Sequence, residues 1–312
     1  MKVLLTCPPM LGMADEFRPL FSERGIELHC PEVVQTLSEP ALIEMVPRFD
    51  GWIIGDDPAT RRVFEAGRSG LLRAAVKWGI GVDNVDLAAA QELGIAIANT
   101  PQMFGREVAD LAMSYIAALA RETFLIDRGV RAGGWPKPAG ISLQDRTLAL
   151  VGFGDIGQNI AKRALAAEMR VIAYDPRFTP APRLETVESA EWPARLGEAD
   201  FLVFACSLTP HNRHMLNQGT LSKVKRDVRV VNVGRGPLID ETALVQALET
   251  GMVHSAALDV FETEPVPMSS PLRKLECCIF GSHNASNTVD AVRRTSRRSI
   301  AILFEFLGVA VS

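Results

Sequence analysis

The sequence lacks the features of membrane-bound, secreted and nucleic-acid-binding proteins. Its 312 residues include no apolar run long enough to cross a bilayer. No apolar stretch near the N-terminus is followed by a small-residue cleavage site, so we expect no secretory signal. Lysine and arginine number 33 and aspartate and glutamate 37, for a net charge of −4. This balance excludes a strongly basic face, and we expect neither nucleic acid nor a membrane as a partner.

Cysteine is also scarce. The chain has 5 cysteines, and none of them shows the C-x-x-C spacing of a zinc site or a redox pair. We therefore expect no metal site, and the odd count of thiols favours the reducing cytoplasm. One local cluster of positive charge, Arg293-Arg294 with Arg297-Arg298, has helical spacing and is interpreted as a solvated helix face.

What the sequence does contain is a regular alternation of short apolar runs and amphipathic segments. In about the first hundred residues the apolar runs predict strands at Val3–Leu5, Ile26–Leu28, Trp52–Ile54, Ala74–Lys77 and Ile95–Ala98. Helical periodicity between them predicts helices at Ala41–Val46, Arg61–Ala66 and Leu87–Leu93. Strands that alternate with helices indicate a parallel sheet covered on both faces.

A second series of the same kind begins near residue 101. Helical spacing predicts a helix over Val108–Leu119 and another up to Val130, and Gly133–Pro136 then breaks the pattern. Further buried strands are predicted at Leu148–Val151, Val171–Tyr174, Phe201–Phe204, Val228–Val231 and Ser255–Leu258. The last segment, Val289–Leu307, has the periodicity of one long helix. The sequence therefore predicts an α/β protein with two parallel-sheet domains.

A glycine-rich turn follows the first strand of the second series. Gly152, Gly154 and Gly157 have the G-x-G-x-x-G spacing of a dinucleotide site, and Asp155 and Ile156 lie between the last two. The first glycine makes the bend, the second lets the backbone approach the pyrophosphate, and the third lets helix and strand pack closely. The helix N-terminus then binds the phosphates through its N–H groups. The simpler alternative is a glycine turn that only caps a helix.

Asp175 closes the strand that follows the glycine turn. A carboxylate at this place can accept hydrogen bonds from both ribose hydroxyls and repels a 2′-phosphate, so we predict NAD rather than NADP as the cofactor. Arg177, two residues later, can weaken that preference. The alternative is that Asp175 is simply solvated.

Three charged side chains are expected just after strands of the second series, where ligands bind in open parallel sheets: Arg235, Glu264 and His283. Reduction of a 2-keto acid requires a cation for the carboxylate, a proton donor for the carbonyl oxygen and a group that tunes the donor. The three residues match these requirements together. Taken singly, Arg235 can be a structural ion-pair residue, Glu264 a turn residue and His283 a structural histidine.

At this point the sequence resembles the D-isomer-specific 2-hydroxyacid dehydrogenases, and within that family the phosphoglycerate dehydrogenases. The resemblance covers nearly the whole chain. The motifs that carry it are Gly79-Ile80-Gly81-Val82-Asp83-Asn84-Val85-Asp86, Asn99-Thr100-Pro101, the glycine turn, Ser207-Leu208-Thr209-Pro210, Asn232-Val233-Gly234-Arg235-Gly236 and Asp259–Pro265. The resemblance implies that Arg235 binds the substrate carboxylate and carbonyl oxygen, that His283 donates the proton, and that Glu264 favours the protonated imidazole.

The resemblance also implies contacts outside these three residues. Backbone N–H groups around Ile80 and Gly81 would hold the substrate carboxylate, with Trp78 and Gly79 beside them. Asp259 would orient the nicotinamide carboxamide. The remaining implied cofactor contacts are Ser207, Thr209, Pro210 and Val233.

The family layout implies two Rossmann-like or flavodoxin-like domains. Residues 1–100 with 286–312 would form the substrate-binding domain and residues 101–285 the NAD-binding Rossmann domain, with the active site in a cleft between them. The resemblance further implies a homodimer that buries the Val108–Leu119 helix and the Gly133–Pro136 arm. The predicted enzyme interconverts a small D-2-hydroxy acid and its 2-keto acid with NAD.

Three departures from the family pattern stand out. Ser282 precedes His283, where the family usually has proline. Gln102-Met103-Phe104-Gly105 replaces the usual glycine-and-asparagine pattern. The sequence ends at Ser312, without the regulatory domain of some phosphoglycerate dehydrogenases, so we expect no end-product control.

The residues after the third strand bear on the substrate. Gly55-Asp56-Asp57 stands where phosphoglycerate dehydrogenases place an arginine, and two carboxylates would repel a phosphate. Arg61 and Arg62 follow, and we expect both to point outward into solvent. We therefore predict that glyoxylate or hydroxypyruvate is reduced at least as efficiently as phosphohydroxypyruvate.

Two other functions compete with this prediction. A non-catalytic NAD-binding sensor or partner-recruiting protein would keep Asp175 and the glycines, but it would not need Arg235, Glu264 and His283 together. A methyltransferase that binds S-adenosylmethionine through the glycine turn leaves the carboxylate-binding motifs unexplained.

Overall fold

The computed structural model describes residues 1–310, in two compact units. The first unit is Met1–Met103 together with the chain from Asn287 onward, and the second is Phe104–Ser286. Residues 311 and 312, the end of the predicted substrate-binding domain, lie outside the described residues. Each unit is built on one parallel sheet, which confirms the predicted α/β class. Within residues 1–310, no helix has the length and apolar character needed to cross a membrane.

The first unit has a five-stranded sheet in the order β2-β1-β3-β4-β5. Its strands are β1 (Lys2–Leu5), β2 (Glu27–His29), β3 (Gly51–Ile54), β4 (Ala74–Lys77) and β5 (Ala96–Asn99). The helices before residue 104 are α1 (Pro8–Leu11), α2 (Ala14–Ser22), α3 (Glu39–Met45), α4 (Arg61–Ser69) and α5 (Leu87–Glu92). The central strands β3 and β4 are buried on both faces, as continuous apolar runs require. The chain order reverses between β1 and β3, and in such sheets this switch point is where ligands bind.

The second unit has a seven-stranded sheet in the order β12-β11-β10-β9-β6-β7-β8. Its strands are β6 (Thr147–Val151), β7 (Arg170–Tyr174), β8 (Glu188–Ser189), β9 (Phe201–Phe204), β10 (Val228–Asn232), β11 (Val253–Leu258) and β12 (Cys278–Phe280). Its helices are α6 (Gly105–Arg121), α7 (Thr123–Arg131), α8 (Asp155–Ala166), α9 (Gln218–Leu221) and α10 (Glu241–Glu249). The sheet reverses its order between β6 and β9, so the glycine turn after β6 lies at the switch point.

The last helix, α11 (Val289–Leu307), belongs to the first unit and matches its predicted bounds. The Thr288 side chain caps it by accepting a hydrogen bond from the Ala291 N–H. The Trp78 indole N–H, just after β4, donates to Ser296 Oγ of this helix at 3.1 Å. A Cβ atom on Gly51, at the start of β3, would lie 3.2 Å from the side chain of Leu303. Helix α11 therefore completes the core of the first unit.

Every predicted strand is present, with ends that differ by at most a few residues. The short strands β8 and β12 are not among the predicted apolar runs, because two or three residues carry no measurable periodicity. Helix α2 also goes beyond the predicted elements, and it contains Pro19 in its interior. Its apolar face is buried by Phe17 and Phe21, so packing outweighs the local penalty of proline.

Candidate active site

The candidate residues of the second unit all follow strands of its sheet. Parallel strands end at one common edge, so the turns after them lie along that edge. The residues that follow β6, β7, β9, β10, β11 and β12 there are, in that order, Gly152, Asp175, Ser207, Arg235, Asp259 and His283. The sheet order places β10, β11 and β12 side by side. This brings the turns of Arg235, Asp259 and His283 together.

His283 and Glu264 form an ion pair or hydrogen bond at this edge. His283 Nδ1 lies 2.8 Å from Glu264 Oε2, and the two side chains are 22% and 21% exposed. Glu264 Oε1 accepts a hydrogen bond from the Phe261 N–H at 2.9 Å, which fixes the carboxylate. With Nδ1 directed at a carboxylate, the imidazolium is stabilised and the ring is held in one orientation. Nδ1 is thus the ring nitrogen that faces Glu264.

The turn that carries His283 is held by Asp259. The His283 N–H donates to the Asp259 carbonyl at 2.7 Å, and the Asp259 carboxylate accepts from the N–H groups of Asn284 at 3.2 Å and Ala285 at 2.9 Å. Burial raises the pKa of Asp259, and these two backbone hydrogen bonds oppose that effect. His283 has a left-handed backbone, with φ of 54°, which histidine tolerates better than most residues. These contacts fix the approach of His283 where Ser282 stands in place of the usual proline.

Tyr115 of α6 is a further member of this cluster. Its side chain is buried and hydrogen-bonded to Asp259. The pKa of its hydroxyl is raised, mainly because the group is buried and also because of the negative charge of Asp259. Sequence reasoning missed both this contact and the anchoring role of Asp259. Helix α6 carries no motif, so only the packing of α6 against the sheet could reveal them.

Arg235 stands in a tightly built turn after β10. Asn232, 1% exposed, donates from its side-chain amide to the Arg235 carbonyl at 2.9 Å and accepts from the Gly234 N–H at 3.0 Å. A Cβ atom at Gly236 would overlap the carbonyl of Phe261, so only glycine permits this approach. The turns after β10 and β11 are therefore packed directly on each other. This packing keeps Arg235 close to the segment that carries Glu264.

The glycine turn has the geometry that a dinucleotide site needs. A Cβ atom at Gly157 would overlap the carbonyl of Gly152, so the third glycine does allow strand and helix to pack closely. In the described chain, no side chain caps the N-terminus of α8. Asp175 Oδ2 accepts from the Phe153 N–H at 2.7 Å, and Oδ1 accepts from the Arg177 N–H at 2.8 Å. The uncapped helix start and the fixed carboxylate fit the pyrophosphate and ribose of NAD.

Asp155 and Ile156 lie in the first turn of α8, just after the glycine turn. The Asp155 carboxylate lies against Gly105 of α6 and accepts a hydrogen bond from the Asn159 side-chain amide at 3.2 Å. Ile156 is half-buried in the first turn of α8.

Asn212 organises the segment that contains Ser207, Thr209 and Pro210. Its side chain accepts from the Thr209 N–H at 2.7 Å and donates to the Ser207 carbonyl at 2.8 Å. Val233, the remaining predicted cofactor contact, is buried at the end of β10.

In the first unit, the predicted substrate-binding residues form the turn after β4. The Gly79 N–H donates to Thr100 Oγ1 at 2.8 Å, and the Asn99 amide donates to the Ile80 carbonyl at 2.8 Å. Within residues 1–310, the N–H groups of Ile80 and Gly81 have no protein acceptor. Two such neighbouring donors suit a carboxylate. Trp78 itself is 4% exposed and packs inside the first unit.

Comparisons with known proteins agree with this geometry. The family model for the D-isomer specific 2-hydroxyacid dehydrogenase, NAD binding domain, matches residues 113–285. A hydroxypyruvate reductase of Thermotoga maritima is 37% identical over 279 residues, which cover 88% of this chain and 90% of that protein. The chloroplastic D-3-phosphoglycerate dehydrogenase 2 of Arabidopsis thaliana is 38% identical over 260 residues, which cover 82% of this chain and only 41% of that protein.

A solved structure extends the likeness to the whole described fold. A protein from Thermus thermophilus, known from its crystal structure, is 32% identical, with a TM-score of 0.87 and coverage of 99% of this chain and 97% of that chain. The resemblance expected from the motifs is thus confirmed. The chain belongs to the D-isomer-specific 2-hydroxyacid dehydrogenases, enzymes that use NAD as their cofactor.

Proposed function

We propose that this enzyme reduces a small unphosphorylated 2-keto acid, such as hydroxypyruvate or glyoxylate, to the D-2-hydroxy acid. The observation that carries the proposal is the 2.8 Å contact between His283 Nδ1 and Glu264, beside the turn of Arg235. Proton donor, tuning carboxylate and cation thus follow three adjacent strands. A protein that only binds NAD needs none of this arrangement.

The proposed reaction divides between the residues as follows. Arg235 binds the carboxylate and polarises the carbonyl oxygen of the keto acid. His283 donates the proton from Nε2 to that oxygen, and Glu264 stabilises the imidazolium before transfer. Bound NADH supplies the hydride for C2. Asp259 and Tyr115 position the turn of His283, and the first unit's proposed contribution is the pair of N–H groups at Ile80 and Gly81.

The absence of a phosphate on the substrate is inferred from the first unit. Arg61 Nη2 lies 2.6 Å from Glu92 Oε2, and Arg62 Nη1 lies 3.2 Å from Glu39 Oε2. Their side chains are 46% and 72% exposed, so the expected outward orientation of both is confirmed. Surface ion pairs of this kind contribute little to stability, and the charge of each arginine is balanced by its glutamate. The name of the Thermotoga maritima relative, hydroxypyruvate reductase, supports the same substrate class.

Asp57 is buried rather than directed at a ligand. Its carboxylate accepts from the N–H groups of Leu37 at 2.8 Å and Gly55 at 3.2 Å and from the Thr6 hydroxyl. Burial raises its pKa, and these hydrogen bonds oppose the rise. Asp57 thus stabilises the turn after β3, and Asp56 is paired with the buried Lys77 ammonium at 2.9 Å.

The substrate is tested by a direct comparison. NADH oxidation is measured with hydroxypyruvate, glyoxylate and phosphohydroxypyruvate under the same conditions. We expect kcat/KM for hydroxypyruvate at least equal to that for its phosphate ester. A preference of about a hundredfold or more for the ester would reverse the assignment, and no activity with any keto acid would favour a non-catalytic NAD-binding protein.

Assembly and location are part of the same proposal. Helix α7 buries no residue within the described chain, and Trp135 in the following arm is 77% exposed. The apolar side of α6, the helix expected at the dimer interface, is already buried within its own unit. The exposed α7 and Trp135 support a two-fold homodimer in which the partner covers α7 and the Gly133–Pro136 arm. All 5 cysteines are free, which supports a reducing, cytoplasmic location. Light scattering at micromolar protein tests the dimer, and a monomer there would count against it.

A further inference from the structure

Lys77, the last residue of β4, carries a buried charge that the proposed mechanism does not use. Its side chain is only 4% exposed. Nζ lies 2.9 Å from Asp56 Oδ1 and 3.3 Å from the carbonyl of Trp78. A buried ammonium is costly unless it is paired, so the pair with Asp56 needs an explanation.

The position of the pair in the fold points to a ligand. Asp56 follows β3 and Lys77 ends β4, so both lie at the carboxyl edge of the first unit's sheet, next to its switch point. A Cβ atom on Gly79 would lie 3.5 Å from Lys77 Nζ. The ammonium is therefore directly beside the turn whose Ile80 and Gly81 N–H groups are proposed to bind the substrate carboxylate. In a keto acid held by this turn, a substituent on C3, which is two bonds from the carboxyl carbon, would face the pair.

The charges at this edge define the chemistry of that substituent. The Lys77 ammonium is already paired with Asp56 at 2.9 Å, whereas Asp57 is buried and hydrogen-bonded within its own turn. An anionic substituent would therefore have to compete with the Asp56 carboxylate for the ammonium. A hydroxyl group, in contrast, can accept from the ammonium and donate to the carboxylate at the same time. The Asp56 side chain is 34% exposed, and its Oδ2 also accepts from the Gln35 side-chain amide at 3.4 Å.

We propose that Asp56 and Lys77 form a specificity site for a hydroxyl group on C3 of the keto acid. Lys77 Nζ donates to the hydroxyl oxygen, and the hydroxyl proton is donated to Asp56. The site selects hydroxypyruvate over pyruvate, which has no hydroxyl, and over the phosphate ester, which is anionic there. The inference rests on the proposed function and narrows it to 3-hydroxy-2-keto acids.

The expected change in selectivity is that of losing one hydrogen bond to a charged group. One such bond changes kcat/KM by about 10- to 100-fold, because the group left without it is charged. Glyoxylate has no C3 and makes no use of the site. The ratio of kcat/KM for hydroxypyruvate to that for pyruvate is therefore the quantity to measure.

The test uses a variant that removes one charge and a variant that removes the whole pair. Lys77→Met deletes the ammonium, and the double change Asp56→Leu with Lys77→Met leaves no unpaired buried charge, so it is expected to fold. Arg61→Met, which breaks the exposed pair with Glu92, is the matched control. We expect the hydroxypyruvate-to-pyruvate ratio to fall about tenfold or more in the first two and to stay unchanged in the control.

The outcomes separate this inference from the proposed function. An unchanged ratio in both variants, with glyoxylate reduction and NADH binding intact, would overturn the hydroxyl site and leave the function standing. Failure of the unmodified enzyme with all keto acids would remove the function itself. If Lys77→Met costs most with phosphohydroxypyruvate as substrate, the lysine binds phosphate and the hydroxyl assignment is wrong.

One measurement needs no variant. D-glycerate and D-lactate differ only by the C3 hydroxyl, so their inhibition constants against the unmodified enzyme report the same contact. We expect D-glycerate to inhibit about tenfold more tightly, and equal inhibition would contradict the site.

Discussion

Two histidine–glutamate pairs lie at opposite ends of the same strand, β11, in the second unit. His283 and Glu264 lie beyond its carboxyl end, 2.8 Å apart. His254 is the second residue of β11, and its Nε2 lies 3.2 Å from Oε1 of Glu122. The same two residue types are thus paired at both edges of one sheet.

The surroundings of the two pairs differ. His254 Nδ1 contacts the Ser255 hydroxyl at 3.1 Å, and Arg229, 6% exposed, lies nearby with its Nε donating to the Leu119 carbonyl. Burial, and then the positive charge of Arg229, lower the pKa of His254, so the folded protein disfavours the protonated ring. The pair at the amino edge holds the end of α6 to the sheet. What a histidine–glutamate pair does therefore depends on which edge of the sheet carries it.

The largest expected effect is the loss of activity when His283 is removed, with removal of His254 as the comparison. His283→Ala deletes the proposed proton donor and should lower kcat by about 10²- to 10⁴-fold. His254→Ala should leave kcat within about threefold, because His254 lies at the edge of the sheet opposite the proposed site. Steady-state kinetics with NADH and hydroxypyruvate checks both, and NADH binding should persist in both. A near-normal rate for His283→Ala would remove the basis of the comparison.

A smaller effect is expected from the carboxylate at the carboxyl edge of β7. Asp175→Ala should narrow the preference for NADH over NADPH by on the order of tenfold, since the charge that repels a 2′-phosphate is gone. Asp200, before β9 at the amino edge, accepts from the Thr147 N–H at 2.9 Å and is the matched control. Asp200→Asn should leave the cofactor ratio unchanged. Equal use of both cofactors by the unmodified enzyme would contradict the role of Asp175.

Replacing Glu264 and Glu122, the partners of the two histidines, compares how each pair affects the pH dependence of the reaction. Glu264→Gln keeps a hydrogen bond to His283 but removes the charge that stabilises the imidazolium, so the pH optimum of keto-acid reduction should move to lower pH. The rate at neutral pH should fall by roughly tenfold. Glu122→Gln should leave the pH–rate profile in place. Identical profiles for both variants would mean that Glu264 has only a structural role.

The smallest effect concerns stability against pH. The folded protein lowers the pKa of His254 below its ordinary value of 6.5, so the neutral ring favours folding above that pH. This contribution is lost as the pH falls below 6.5, where the unfolded chain takes up the proton first. His254→Gln should therefore lose less thermal stability between neutral pH and about pH 5.5 than the unmodified protein. Parallel melting curves against pH for the two proteins would argue against it.

The carboxyl edge could be predicted from the sequence because its residues follow apolar runs at recognisable spacing. The glycine turn, Asp175, Arg235, Glu264 and His283 were all accessible in this way. Tyr115 was not, because its contact with Asp259 joins a helix and a strand that are far apart in the sequence. Glu122 was equally hidden: it has a left-handed backbone, with φ of 56°, between α6 and α7 and belongs to no motif. Strand β12 precedes His283, but it has only three residues and could not be recognised from the sequence.

The return of α11 to the first unit has a consequence for how the chain folds during synthesis. The second unit is one continuous stretch, Phe104–Ser286, and its whole core is available once that stretch has left the ribosome. The first unit is made first but stays incomplete, because its β3 and β4 are covered by α11, which is translated last. The buried contact from Trp78 to Ser296 spans 218 residues. The part of the protein that emerges first is thus the last to complete its core, and until α11 is made the side of β3 and β4 that it covers remains without this partner.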